Sequence, residues 1–511
     1  MSDWTAGYMA DVGYTFGYYQ ELNPSRSELA LLKQGIVMPK IETACELGFG
    51  QGMSIGIHAA ASPVQWHGTD FNPSQAGFAQ ELVRSCGSDA KLYDEAFEEF
   101  CLRSDLPDFD FIGLHGIWSW ISDKNRALIT DFIKRKLKVG GVLYISYNTL
   151  PGWAAFAPMR HLMSEHAQLL SAGGKGIISG IDEALAFTDK LLATNPLFGR
   201  ANPQVAERLK KLKEQNKHYL AHEFFNRDWH PMHFATMAGW LQEAKLNYAC
   251  SAHYLDSVDG INLTEAQQAL LRDIPDPMFA QSVRDFMVNQ QFRRDYWIKG
   301  VRRLSPLERM EALSSHKVML LSSAPDITLK VNGSLGAADM NQGIYAPIIE
   351  FLADHKQRTL AEICDATKGA DISQVQVIEA VTILAGSGHL ASVQDAQTIT
   401  RTKKKTEKLN RHLMRKARSS TDVAYLASPV TGGGHNLGRF QQLFALSYLD
   451  GIRQPSEWAQ SVLQILNAQG QKIVKEGRTL NTDEENFAEL LERANQFKEK
   501  QLPVLKALEI V

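Results

Sequence analysis

Long apolar runs are missing from this 511-residue chain: none approaches the length of a membrane span, and no basic region followed by an apolar one opens it. Membrane insertion is therefore not expected. Cysteine is scarce. The five residues Cys45, Cys86, Cys101, Cys250 and Cys364 form no C-x-x-C pair, which excludes a zinc-ribbon or disulfide framework and points to reduced thiols in a cytoplasmic protein. Charge of one sign is also lacking, since 54 Lys and Arg against 57 Asp and Glu leave a formal net charge of -3. No global field recruits nucleic acid or a membrane surface. Internal repeats and long low-complexity segments are absent, which argues against solenoids and disordered tails. What remains, 44% hydrophobic residues over this length, allows large cores and about three domains.

The chain is organised around Glu46-Leu-Gly-Phe-Gly-Gln-Gly52. This stretch follows the apolar run Ile41 to Cys45 and precedes the mostly apolar segment Met53 to Ala61, so it reads as strand, glycine turn and helix start. Glycines 48, 50 and 52 let the backbone turn tightly and approach a ligand, with the free N–H groups of the new helix facing it. The next apolar segment, Val64 to Thr69, ends in Asp70, where a carboxylate can bond both hydroxyls of a ribose. Spacing narrows the ligand. A dinucleotide loop needs G-x-G-x-x-G, yet its third glycine would fall on Met53 counting from Gly48, or on Ile55 counting from Gly50.

Strand and helix patterns then alternate: strand 41–46, helix 52–60, strand 64–69, helix 74–86, a short strand at 91–93, strand 109–114, helix 125–137 and strand 141–147. Alternation of this kind predicts an α/β fold, a parallel sheet with helices on both faces and the ligand at the carboxyl ends of the strands. Five strand ends converge on that rim: the glycine loop, Asp70-Phe-Asn72, Asp94-Glu-Ala-Phe97, His115 to Trp120, and Asn148 to Trp153. Aromatic residues precede the first strand at Tyr8, Tyr14, Phe16, Tyr18 and Tyr19, and are expected to pack as a clamp or to cover the ligand as a lid.

The E-x-G-x-G-x-G loop resembles motif I of the class I S-adenosylmethionine-dependent methyltransferases. Asp108 to Trp120, Tyr144 to Trp153, Asp11-Val-Gly-Tyr14 and Tyr219 to Phe224 together resemble the bacterial members that carry a methyltransferase regulatory domain, among them the rickettsial protein-lysine methyltransferases. The resemblance covers residues 8 to 300. It departs from the family at Phe49, where Cys is frequent, and at Ser122, where Pro is common.

The resemblance implies S-adenosylmethionine as cofactor. Its methionine part falls to Glu46, Gly48, Gly50 and Gly52, with Phe49 in the same loop, and its ribose to Asp70. By fold position, Asp94 or Glu95 is expected near the adenine amino group, flanked by Phe71 and Ala96, with His115 also at the cofactor. Methyl transfer is an in-line displacement that needs alignment, water exclusion and an acceptor lone pair. A lysine acceptor, with a reference pKa of ~10.4, has to lose a proton first. Rim candidates for that chemistry are His115 as proton acceptor, Asn148 as an orienting carbonyl, and Tyr14 and Tyr147, with Trp118, Trp153 and His222 lining the acceptor pocket.

Metal binding is not expected, because the H-E-x-x-H pattern that His222-Glu223 would begin has Asn226 at its second histidine, and His230 and His233 lack companion ligands. Along the chain, 1–153 reads as a Rossmann-like core, 154–218 as a helical insertion over the pocket, broken at 171–180 and 195–203, and 219–255 as completion of the sheet. Residues 256–335 read as a helical regulatory region, 336–400 as a winged-helix-like module, and 401–511 as a helical domain suited to dimerisation or substrate docking, with Gly432-Gly-Gly434 a flexible linker. The leading expectation is a methyltransferase acting on protein lysines. Alternatives are a small-molecule, envelope-saccharide or nucleic-acid methyltransferase, the last suggested by the basic run Arg401 to Arg418, and a non-enzymatic interaction protein that senses the cofactor.

Overall fold

A computed structural model describes residues 15–170 and 177–511. Tyr8, Tyr14 and part of the expected break at 171–180 lie outside the described residues. The organising element is a seven-stranded sheet of β1 (Thr43–Leu47), β2 (Gln65–Thr69), β3 (Lys91–Tyr93), β4 (Phe109–Leu114), β5 (Leu137–Asn148), β6 (Leu246–Ser251) and β7 (Phe292–Lys299). Its order is β3-β2-β1-β4-β5-β7-β6. The first five strands run parallel, and β7 enters antiparallel between β5 and β6, pairing Tyr144 with Tyr296 and Asn148 with Phe292. β4 is buried at all six positions. A central strand covered on both faces has no solvent side to alternate with, which is why Phe109-Asp-Phe-Ile-Gly-Leu114 reads as a nearly continuous apolar run.

Helix boundaries follow local chemistry. Helix Pro73–Cys86 opens with Pro73 in its first turn, the Asn72 side chain accepting from Ser74 N at 3.0 Å, and closes on Gly87 at φ +69°. Gly52 caps helix Met53–Ala61 at φ +70°, where a Cβ would lie 2.3 Å from the Ala79 Cβ, so this glycine permits close approach of two helices.

Several expectations need correction. Arg293, Arg294 and Lys299, placed in a helical stretch, lie on β7, a full member of the sheet. The sheet is thus completed by β7, which begins at Phe292, 46 residues after β6 begins at Leu246, and not within 219–255, because helices 265–272 and 277–287 intervene. The glycines at 432–434 form no loose linker. Strands Tyr425–Ser428 and Gly433–Asn436 make an antiparallel hairpin, and a Cβ on Gly433 would meet the Tyr18 hydroxyl at 2.5 Å.

The 154–218 segment forms helices 157–170, 177–193, 197–201 and 204–213, with its own apolar cluster around Phe156, Met163, Leu185 and Leu209. Residues 317–392 supply helices 342–352, 360–367 and 374–386 and a small sheet of 317–320, 358–359 and 390–392. Helix Ala396–Lys416 buries Ile399, Leu409, Leu413 and Met414 in one cluster with Met53, Ile57 and Leu82 of the core. Several of its basic residues are paired with acids: Lys405 with Asp89, Lys416 and His412 with Glu81, Arg411 with Asp450 and Lys403 with Glu509. The amphipathic period explains both faces, one packed on the sheet's helices and one paired at the surface.

Candidate functional site

Two cavities meet at the carboxyl rim of the sheet. The strand-end cavity, about 380 Å³, is lined by Glu46, Gly48, Phe49, Gly50, Asp70, Phe71, Glu95, Ala96 and His115, with Thr15, Gly17 and Tyr19 of the N-terminal segment. The lateral cavity, about 970 Å³, opens between the rim and the inserted helices and is lined by Asn148, Trp153, Phe156, Arg208, Tyr219, Glu223 and Phe224. Tyr19, His115, Gly116 and Trp120 line both.

Within the strand-end cavity, the glycine turn is held by Asp70. Its carboxylate accepts from Gly50 N at 2.8 Å and from Asn72 N at 3.0 Å. Gly48 and Gly50 take φ of +71° and +57°, and a Cβ on Gly48 would strike Ile117 at 2.4 Å. Side chains at either position would close the loop onto the cavity. Glu46 is 3% exposed, and its Oε2 has no hydrogen-bond partner. Burial first, and the neighbouring Asp70 second, push the Glu46 carboxyl up to about 8; burial also raises Asp70 to about 6 against the two backbone N–H bonds. Such an orphaned acid suits a cationic ligand group, which would return it to the charged form.

His115 stands at the neck. Its ring stacks on Tyr19 with centroids 3.6 Å apart, and its Nδ1 is 2.7 Å from the Tyr144 hydroxyl. Burial lowers His115 to about 4, with Glu21 acting to raise it and Arg294 to lower it, so the imidazole is neutral near pH 7. Asn148 is 4% exposed; its backbone N–H donates to Ser119 Oγ at 2.8 Å while its side-chain Nδ2 has no partner. Trp153 donates from Nε1 to the Gln291 carbonyl at 2.9 Å and carries the Arg208 guanidinium 3.8 Å above its ring.

Other expected site residues lie elsewhere. Tyr147 is fully buried on the opposite face of β5, its hydroxyl 3.1 Å from Asp295 in a network with Arg293; alternation along the strand sends Tyr144, Ser146 and Asn148 to the site side and Tyr147 away. Trp118 is buried too, with Nε1 on the Met232 sulfur at 3.4 Å. One 3-10 turn, Trp118–Trp120, separates the two tryptophans, and Trp120 faces both cavities. His222 does not line the lateral cavity; on helix Lys217–Phe224 the neighbours Tyr219 and Glu223, four residues apart, share the face that lines it. Gly52 serves helix packing, and Asp94 lies outside the cavity lining, whereas Glu95 lines it while pairing with Arg103 at 2.5 Å.

Sequence reasoning missed Tyr19 as a wall shared by both cavities, and it missed Trp120, Arg208 and Glu223 as lining residues. Burial raises the Glu223 carboxyl to about 7, against the opposing pull of Arg160. The i, i+4 pair with Tyr219 was the available signal. Among the described residues, no cluster of His, Cys, Asp and Glu has the arrangement of a metal site, and no helix is long and apolar enough to cross a membrane.

Comparison with known proteins places this geometry. Residues 216–299, from the helix bearing Glu223 through β7, match the family model described as a predicted methyltransferase regulatory domain. The chain is 40% identical over 512 residues to the uncharacterized protein sll1526 of Synechocystis sp., covering 99% of each chain. It is 27% identical over 295 residues to the uncharacterized protein RP789 of Rickettsia prowazekii, covering 55% of this chain and 51% of that one. PKMT2 from Rickettsia typhi in complex with AdoHcy shares the fold with a TM-score of 0.70 at 16% identity, over 95% of this chain and 98% of that one. The chain belongs to the family of the Synechocystis protein, matches the predicted methyltransferase regulatory domain at residues 216–299, and has the class I S-adenosylmethionine-dependent methyltransferase fold that it shares with PKMT2.

Proposed function

We propose that the protein transfers a methyl group from S-adenosylmethionine to a lysine side chain of a protein, across the neck between the two cavities. The observation that carries this reading is the shared wall of Tyr19, His115, Gly116 and Trp120. A donor held on one side and an acceptor on the other would face each other there, with water excluded by stacked rings. Resemblance to PKMT2, a name attached to a Rickettsia typhi protein, supports the acceptor class.

The strand-end cavity fits the cofactor. Glu46 would accept from its ammonium group, Gly48 and Gly50 would give its amino-acid part room, and Asp70 would hold its ribose. Phe71, Ala96 and Glu95 bound the adenine side, and Asp70 fixes the loop through Gly50. Bound there, S-adenosylmethionine supplies an electrophilic methyl group on a sulfonium. The chain's own work is alignment and deprotonation. On the acceptor side, Trp153, Phe156 and Phe224 form apolar and aromatic walls, and the Asn148 amide offers polar contact beside them. Burial in such walls lowers the pKa of an entering ammonium. Glu223, poised near neutrality, and neutral His115 are the candidates to accept its proton.

Ion pairs of Lys403, Lys405, Arg411 and Lys416 on helix 396–416 leave that helix less charge to offer a nucleic-acid acceptor. The test is labelled methyl transfer to a lysate, followed by acid hydrolysis and amino-acid analysis. Label in methylated lysine supports the reading; label confined to nucleic acid or small molecules overturns the acceptor.

A further inference from the structure

A third cavity, about 550 Å³, lies where the N-terminal segment, β7, the 317–392 module and the C-terminal hairpin meet. It shares only Tyr19 and His115 with both rim cavities, and its walls carry an unbalanced charge. Arg26 lines it at 8% exposure; the guanidinium lies 4.1 Å from the centre of the Tyr254 ring, and it makes no ion pair or hydrogen bond among the described residues, with Nε and Nη2 both buried and unpartnered. Arg294 lines the same space with its Nε unpartnered. Among the described residues, Glu21 is the one carboxylate in the lining, and it bonds Arg294 at 3.1 Å. Burial alone would raise the Glu21 carboxyl, yet Arg294 and Arg26 together hold it below its usual range. His435, also in the lining, is driven by burial to about 4 and adds no charge at neutral pH. Two arginines against one acid leave a net positive charge in this lining, and an uncompensated buried guanidinium is costly unless an anion completes it.

We propose that this junction is a second ligand site, which takes a small molecule bearing a carboxylate or phosphate group between Arg26 and Arg294. Planar guanidinium groups match the oxygen pairs of such anions, and the volume falls in the range of small-ligand pockets. A ligand there would lie where four parts of the chain meet and rest against Tyr19 and His115, so its occupancy would brace the neck of the transfer site. Anion binding itself does not depend on the methyltransferase reading; its effect on transfer does.

The experiment is calorimetric titration of the full chain with citrate and, separately, inorganic phosphate, with S-adenosylmethionine held in excess to fill the strand-end cavity. Saturable binding of one or both is expected, identifying the preferred group. Arg294→Gln and Arg26→Gln should weaken it by about tenfold or more, a loss easily resolved by titration, while Glu21→Gln should tighten it by removing the competing carboxylate. That opposite sign separates ligand contact from general loss of structure, and Arg26→Lys keeps the charge should Arg26→Gln fail to fold. No saturable binding of either probe, or equal affinity in wild type, Arg294→Gln and Glu21→Gln, would overturn the site.

Discussion

Tyr19 lies flat on His115, ring planes 18° apart and centroids 3.6 Å apart, and together they wall all three cavities. Tyr19 lies 24 positions ahead of β1 in sequence, yet its ring completes the site at the end of β4. Tyr19 N–H donates to Ser54 Oγ at 2.9 Å, tying the segment to the helix that follows the glycine turn. Loss of this ring should therefore loosen the neck without removing any group from the glycine loop. For Tyr19→Ala, methyl transfer is expected to fall by about 10²-fold, the scale of a misplaced reacting pair, with a much smaller change in S-adenosylmethionine affinity. Single-turnover rates and calorimetry on the same preparation check both parts.

Asp70 has two tasks, holding Gly50 and Asn72 through backbone N–H groups and facing the cavity. Replacement by Ala should weaken S-adenosylmethionine binding by about 1 to 3 kcal/mol, through loss of charge-assisted bonds. Unchanged affinity would remove Asp70 from the cofactor site.

Glu46 links binding to protons. Its folded-state value is raised from 4.5 to about 8, so the contribution it makes to the stability of the free protein is full below 4.5 and lost as pH rises through 8. At pH 7 the free protein holds this proton. An incoming ammonium group favours the carboxylate, so cofactor binding should release a proton near pH 7 and tighten as pH rises toward 8. Calorimetry in buffers of different ionisation heat should show that release in wild type and its loss in Glu46→Gln.

The acceptor side has a separate signature. Glu223→Gln should lower kcat/KM for the acceptor by about 10² to 10⁴ if the carboxylate takes the proton, and should erase a pH–rate limb near 7, with cofactor affinity unaltered. His115, held neutral down to about 4, should contribute no limb between pH 5 and 8.

Gly52 gives a stability test distinct from all of these. Gly52→Ala forces a Cβ into Ala79 at a φ of +70°, and should destabilise the fold by about 1 to 3 kcal/mol, read as a lower denaturation midpoint.

The parallel half of the sheet was legible because each strand is a short buried run followed by a helix with clear punctuation, as at Asn72-Pro73 and Gly87. β7 was not, because Phe292-Arg-Arg-Asp-Tyr-Trp-Ile-Lys299 carries four charges, and two of them, Arg293 and Asp295, are buried only by pairing with each other and with Asp285. Polar residues satisfied inside a core look like surface residues until the partner is known. The glycine loop and Asp70 could be placed from spacing alone, since both sit at strand ends. Tyr147 and Trp118 could not be told from Tyr144 and Trp120, because which side of β5 or of the 3-10 turn faces the rim depends on a register that only the folded sheet sets.

The most direct measurement is transfer of labelled methyl from S-adenosylmethionine to the proteins of a lysate, with wild type and Tyr19→Ala compared and the hydrolysed products resolved as amino acids. The account predicts methylated lysine with wild type and a signal lower by about 10²-fold with the variant. Label in another product class, or equal labelling by both proteins, would contradict transfer to lysine across the neck that Tyr19 and His115 form.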